Sequence, residues 1–216
     1  MDRDYVERKS KLIRRKVVTW GRENFKPYPW RSCSSPWQAL VSELMLQRTR
    51  VSSVEPVWAE FVKAYPDLKS ASDAGELSFL SILRPLGLEW RAQLIRDLVQ
   101  TLYNRSRMPE EKEELLFLPG VGEYAASAYL SLHCGKREVI IDANVVRWIC
   151  RMTGDQYDGE TRRQPWLKNL ADVLTPSRIF RDYNYAVLDF TMNVCTSTPD
   201  CAACPMTKHC AYSTSN

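Results

Sequence analysis

Four cysteines, Cys195, Cys201, Cys204 and Cys210, fall within sixteen residues of this sequence. Four thiolates in one short loop suit either a [4Fe–4S] cluster or a zinc ion. The other three cysteines, Cys33, Cys134 and Cys150, are scattered, which makes an odd total of seven. The chain opens on the charged Met1-Asp2-Arg3-Asp4 with no apolar signal region. An odd cysteine count in that setting argues against a disulfide framework and for the cytoplasm. A second candidate is Asp142, which ends the apolar run Val139-Ile140-Ile141 and opens an amphipathic helical pattern. Aspartate is a good helix N-cap, and that is one reading. A carboxylate flanked by Ile140, Ile141 and Val145 also sits where its field is weakly screened. There it can stabilise a cationic sugar, the kind of state that forms when a glycosidic bond breaks. Capping and catalysis are compatible roles for one side chain.

Leu118-Pro119-Gly120-Val121-Gly122 separates two helical patterns. Its glycines permit a tight turn and close backbone approach, and the helix that follows begins with free N–H groups and a positive dipole end. That combination is an anion site suited to a DNA phosphate, although Pro-Gly-x-Gly alone also describes an ordinary helix–helix turn. Leu115 and Leu116 precede it, and the small residues Ala125-Ala126-Ser127-Ala128 follow, so the two helices can pack closely. The segment reads as a DNA-binding helix-hairpin-helix, with Leu118, Gly120, Val121 and Gly122 at its turn. Earlier in the chain, Glu43 and Gln47 are four apart within one helical pattern, so both are expected on one face. Glu43 fits acid or water-positioning work if burial raises its pKa, and otherwise reads as a solvated helix residue.

These groups need helices to hold them. Strand signals are scarce and helical periodicity is frequent, so the class is all-α. The patterns cover about 6–20, 36–47, 54–64, 77–84, 90–104, 110–117, the stretch after Gly122, 143–152, 164–174 and 182–194. Ser35-Pro36 supplies an N-cap and first-turn proline, and Trp37, Leu40, Val41 and Leu44 give the next helix an apolar stripe. The tail after Cys210 is short and polar and is expected to fray. The chain has 216 residues, 44% of them hydrophobic and 26% charged, so a sizeable core can form. No apolar run is long enough to span a membrane, which needs roughly 18 residues. The net charge of +4 says little about a nucleic-acid partner, and the basic cluster Arg8, Lys9, Lys11, Arg14, Arg15 and Lys16 can be a solvated helix face.

The hairpin, Asp142 downstream of it and the terminal cysteine cluster together resemble the helix-hairpin-helix DNA glycosylase superfamily, in its endonuclease III and adenine-glycosylase branches. The likeness runs from about Pro29 to Cys210. It implies two helical lobes with a DNA-binding cleft between them. One lobe is a six-helix barrel carrying the hairpin, over residues 26–137. The other is discontinuous, over 1–25 and 138–216, and carries the catalytic Asp142 and the cluster loop. It also implies base flipping, which is cheapest at a mispair. The cofactor it implies is a [4Fe–4S] cluster on Cys195, Cys201, Cys204 and Cys210, anchoring a loop that brings Lys208 and His209 near phosphate. The first cysteine gap holds five residues here, one fewer than the family spacing.

In the strand-cleaving branch the second residue after the hairpin's last glycine is a lysine nucleophile. Here it is Tyr124, which cannot form a Schiff base. The resemblance therefore implies base removal without strand scission, with Tyr124 lining the base pocket or packing against the barrel. Ser42-Glu43-Leu44-Met45-Leu46-Gln47-Arg48-Thr49 is similar to the segment that carries a catalytic Glu in adenine glycosylases, and archaeal-type thymine mismatch glycosylases also have Glu there. Gln47 and Arg48 then read as wedge residues filling the place of the flipped base, with a phosphate contact as the other reading of Arg48. Asp142-Ala143-Asn144 and Arg181-Asp182-Tyr183-Asn184-Tyr185 resemble the mismatch type, and no lesion-reading domain follows the cysteines. Gly87-Leu88-Glu89-Trp90-Arg91-Ala92 leans the same way but is one residue short. The expected activity is release of T or U opposite G from double-stranded DNA, by a monomer in the cytoplasm, nucleoid-associated if prokaryotic. Its rivals are an adenine glycosylase without the lesion-reading domain and a non-catalytic DNA-binding module.

Overall fold

The computed structural model describes the chain except residues 88, 106 and 216. Among the described residues all regular structure is helical, as the periodicity predicts. In chain order the α-helices are α1 (Arg3–Arg8), α2 (Ser10–Glu23), α3 (Pro36–Met45), α4 (Val51–Ala64), α5 (Leu68–Ser72), α6 (Glu76–Leu83), α7 (Glu89–Tyr103), α8 (Lys112–Leu116), α9 (Glu123–Leu132), α10 (Ala143–Thr153), α11 (Pro165–Leu174), α12 (Phe180–Asn193) and α13 (Ala211–Ser215). No helix is long and apolar enough to cross a membrane among these residues.

The chain divides into two compact units, Met1–Lys26 with Gly135–Asn216, and Pro27–Cys134. In the first, α2 packs along α12, and the core gathers Val6, Ile13, Val17, Ile149, Leu167 and Phe190. Trp20 and Trp148 meet the Phe190 ring edge-on, at centroid distances of 5.3 and 6.1 Å. The single helix expected over 6–20 is two helices. Asp2 caps α1 through the Tyr5 N–H at 2.8 Å, and a break at Lys9 lets Val6 reach the same core as Ile13 and Val17. Ala211–Ser215, in the tail expected to fray, form a helix whose first residue, Ala211, is buried.

The α2–α12 contact depends on Gly21. A Cβ there would stand 2.3 Å from the Cβ of Ala186 and 2.9 Å from its Cα. Gly21→Val should therefore destabilise the protein despite valine's better fit to helical backbone. Overpacking of this kind costs about 3 kcal/mol, and a thermal melt should show Tm falling by several degrees. An unchanged Tm would mean that the two helices separate without cost.

In the second unit, α3 is buried on every side from Trp37 to Met45. Phe61, Tyr65 and Phe79 form a ring cluster beside it, with centroids 5.2–5.5 Å apart. The short α5 has no apolar period of its own. It starts from a reciprocal cap in which Asp67 accepts from the Ser70 N–H at 2.7 Å.

Candidate active site

Asp142 lies at the end of a non-helical segment that is tied down by two side chains. Arg137 donates to the carbonyls of Asp172 and Thr175 at 3.0 and 2.9 Å, and Asn184 Nδ2 donates to the Glu138 carbonyl at 3.0 Å. Asp142 then caps α10, its Oδ1 accepting from the Val145 N–H at 2.7 Å. Its Oδ2 accepts from Asn144 Nδ2 at 2.9 Å. Burial raises its pKa above the usual carboxylate value, opposed by those two donors and by the charge of Arg147. This is a carboxylate held rigidly in poor solvent, where its field acts strongly on a nearby cation.

The helix that Asp142 caps also holds the cysteine loop. Arg147 Nη1 donates to Asn144 Oδ1 at 2.9 Å, while its Nε and Nη2 donate to the Cys195 carbonyl at 3.0 and 2.7 Å. One turn on, Arg151 donates to the carbonyls of Thr196 and Ser197 at 2.5 and 2.9 Å. Cys195, Cys201, Cys204 and Cys210 line one cavity together with Trp148, Arg151, Met206 and Tyr212. None of the four is in a disulfide, and among the described residues the buried Nε1 of Trp148 has no hydrogen-bond partner. Burial pushes the Cys204 thiol up to about 11, opposed by the Met206 N–H and reinforced by charge on the other three cysteines. Cysteine sulfurs on one cavity are donors that suit a thiophilic cation. The donor chemistry fits a thiolate-bound metal group, while among the described residues no three His, Cys, Asp or Glu groups stand together as metal ligands. The Tyr5 hydroxyl of α1 is hydrogen-bonded to Nδ1 of His209 in that loop at 2.8 Å.

Glu43, Gln47, Arg48, Tyr124 and the hairpin belong to the second unit. Glu43 is not solvated. It is 2% exposed on α3, and its Oε1 lies 3.0 Å from His133 Nε2, at the C-terminal cap of α9. Gln47 does not share a helix with Glu43, because α3 ends at Met45 and residues 46–48 form a turn. Arg91, which is 2% exposed, braces that turn. Its guanidinium donates to the carbonyls of Met45 at 3.3 Å, Leu86 at 2.8 Å and Gly87 at 3.4 Å, and also to that of Gln47. Those bonds satisfy carbonyls that the end of α3 leaves open. Arg48 follows in the left-handed region at φ 56°, which non-glycine residues seldom adopt and which is maintained only by its surroundings. Leu88, in the segment read against the mismatch type, lies outside the described residues.

Gln47 Nε2 reaches the Gly120 carbonyl at 3.4 Å, so the turn after α3 and the hairpin are adjacent. Gly120 has φ 73°, and a Cβ on it would stand 3.0 Å from Leu44 Cδ2 and 3.3 Å from Leu94 Cβ. The positive φ favours glycine, and a Cβ would also make those two side chains give way. Leu118 and Val121 are buried and anchor the hairpin, so they support it from within rather than face a ligand. Gly122 is exposed and caps α9 without any side-chain bond, and Lys112 pairs with Glu123 at 3.1 Å beside it. Tyr124 is half-buried, second in α9. Residues missed from sequence are His133, Arg91 and Arg147. The first two act across long sequence separations that no local pattern reveals. Arg147 stands three residues after Asn144, a helical spacing that is open to reading.

Residues 41–168 match the family described as the HhH-GPD superfamily base excision DNA repair protein. The chain is 37% identical over 200 residues to a thymine/uracil-DNA glycosylase of Pyrobaculum aerophilum, covering 88% of this chain and 86% of that one. It is 33% identical to a thymine-DNA glycosylase of Aeropyrum pernix, covering 93% of each. The solved structure of a thermostable thymine-DNA glycosylase superposes with a TM-score of 0.88 at 29% identity, covering 97% of this chain and 98% of that one.

Proposed function

The chain belongs to the HhH-GPD superfamily of base excision DNA repair proteins, and from that premise we propose that it is a monofunctional DNA glycosylase releasing thymine or uracil opposite guanine. The observation that carries the reading is the Asp142 carboxylate, fixed by two donors at the start of α10 and partly shielded from water. As the N-glycosidic bond breaks, the sugar gains positive charge, and Asp142 stabilises it by through-space attraction. Glu43 supplies a proton to the departing base or orients the attacking water. Gln47 and Arg48 fill the place of the flipped base, and their turn is pre-formed by Arg91, so less order has to be imposed on binding. The exposed start of α9 takes a phosphate of double-stranded DNA.

The relatives named for thymine and uracil support this substrate choice. Its test is a panel of duplexes, each with one mispair or lesion, treated with alkali after incubation. Release of T or U opposite G should exceed release of A opposite G or 8-oxoguanine. Efficient adenine release with none of T or U would make the protein an adenine glycosylase, and no release from any duplex would make it a binding module.

Cys195, Cys201, Cys204 and Cys210 would hold a [4Fe–4S] cluster, which when bound supplies a rigid cross-link for the loop carrying Lys208 and His209. Protein purified in air should be yellow-brown and contain about four iron atoms per chain. One zinc and no iron would overturn the assignment.

A further inference from the structure

We propose that His133 is a positioning residue for Glu43, its imidazole fixing which carboxylate oxygen is turned toward the reaction. The proposal rests on the reading of Glu43 as a catalytic residue. The Glu43 and His133 side chains are 3% and 5% exposed and meet at 3.0 Å, from α3 and the end of α9, ninety residues apart in sequence. A buried carboxylate without a donor is costly, so the partner is a requirement of the packing. With its proton on Nε2, His133 donates to Glu43 Oε1 and removes the last rotational freedom of that side chain. With Oε1 engaged by His133, Oε2 is the oxygen left to face a base or a water. The His133 ring is itself backed by Tyr129, with centroids 6.2 Å apart and planes 30° from parallel. Burial, and after it a hydrogen bond with the Cys134 side chain, holds the Tyr129 hydroxyl far above the usual phenol range. The small residues Ala125, Ala126 and Ala128, all buried, let α9 pack closely on its neighbours and bring His133 to Glu43.

The test uses the whole chain and a duplex from which the wild-type protein releases a base. Single-turnover release and duplex binding are measured for His133→Ala, His133→Gln, Glu43→Gln and the double variant His133→Ala/Glu43→Gln. His133→Ala should slow release about tenfold, as for loss of one charge-assisted hydrogen bond, with binding unchanged. Gln places an N–H near the position of Nε2, so His133→Gln should recover most of that loss. In the Glu43→Gln background His133→Ala should add little, because the two act as one unit. Additive losses, a wild-type rate in His133→Ala, or no recovery in a folded His133→Gln would each overturn the proposal. Imidazole 15N shifts of the wild-type protein read the pair without any catalysis. They should report a protonated Nε2 whose shift changes in Glu43→Gln, and no change would overturn the pair even if His133→Ala failed to fold. A wild-type rate in Glu43→Gln alone would instead remove the catalytic reading of Glu43, which distinguishes the two failures.

Discussion

Asp142→Asn is expected to slow base release by about 10²–10³-fold while duplex binding and the fold survive. The magnitude is that of removing one pre-organised charge from a water-poor site, where loss of a single stabilising group costs about 10²–10³-fold. The fold should survive because asparagine is as good an N-cap as aspartate. The amide oxygen of the variant can still accept from the Val145 N–H, which stands 2.7 Å from Asp142 Oδ1 in the wild-type chain. The second contact changes sign. Asp142 Oδ2 accepts from Asn144 Nδ2 at 2.9 Å, and an amide nitrogen in place of Oδ2 would put two N–H donors face to face. Relief requires Asn144 to turn over, which would take its Oδ1 away from Arg147 and loosen one tie to the cysteine loop. A modest fall in Tm is therefore consistent with the catalytic reading, and a near wild-type rate is not. The wild-type enzyme should also lose activity as the pH falls through the Asp142 pKa, because only the ionised form stabilises the sugar. Burial raises that pKa, so the loss should begin at a higher pH than for an ordinary aspartate. If Asp142→Asn releases base at the wild-type rate, the carboxylate is only a helix cap.

What can be read from the sequence is what is local in it. Asp142 is identifiable because an apolar run, a capping residue and an amphipathic helix are consecutive. The hairpin is identifiable because its glycines and its small-residue helix are contiguous. The helix expected to carry Glu43 and Gln47 together ends early for the complementary reason. Its apolar stripe gives no stop signal before Gln47, and the residue that satisfies the carbonyls of the turn after α3 is Arg91, more than forty positions away. The burial of Glu43 is hidden in the same way, since a glutamate among Ser42, Leu44 and Met45 gives no hint that a histidine ninety residues later completes it. Local motifs announce which chemistry is possible, whereas long-range polar contacts decide which rotamer and which turn deliver it. The short α5 shows the limit from the other direction, because its signal is local but lies in a cap, Asp67 with Ser70, rather than in a period.

Tyr124→Lys is expected to turn base release into base release with strand cleavage. Scission in this chemistry begins when an amine attacks C1′ of the sugar and forms an imine, which then permits β-elimination. A phenol, with a pKa of about 10, cannot form an imine. Tyr124 is the second residue of α9, close to the exposed Gly122, and is half-buried rather than locked in the core. A longer flexible side chain can therefore replace it without opening a large cavity. The nearby lysines are poor substitutes. Lys112 pairs with Glu123 at 3.1 Å, and Lys136 lies beyond the end of α9. Wild-type product strands should accordingly stay intact on a denaturing gel until treated with alkali, and borohydride should trap little covalent enzyme–DNA adduct. The Lys variant should nick without alkali and be trapped. The comparison also depends on Asp142, because base release has to precede or accompany attack at C1′. Tyr124→Lys combined with Asp142→Asn should therefore lose nicking on a mispaired duplex yet still be trapped on a duplex that already carries an abasic site. Nicking by the unmodified protein at the rate of base release would mean that another amine is the nucleophile, and the monofunctional reading would fall.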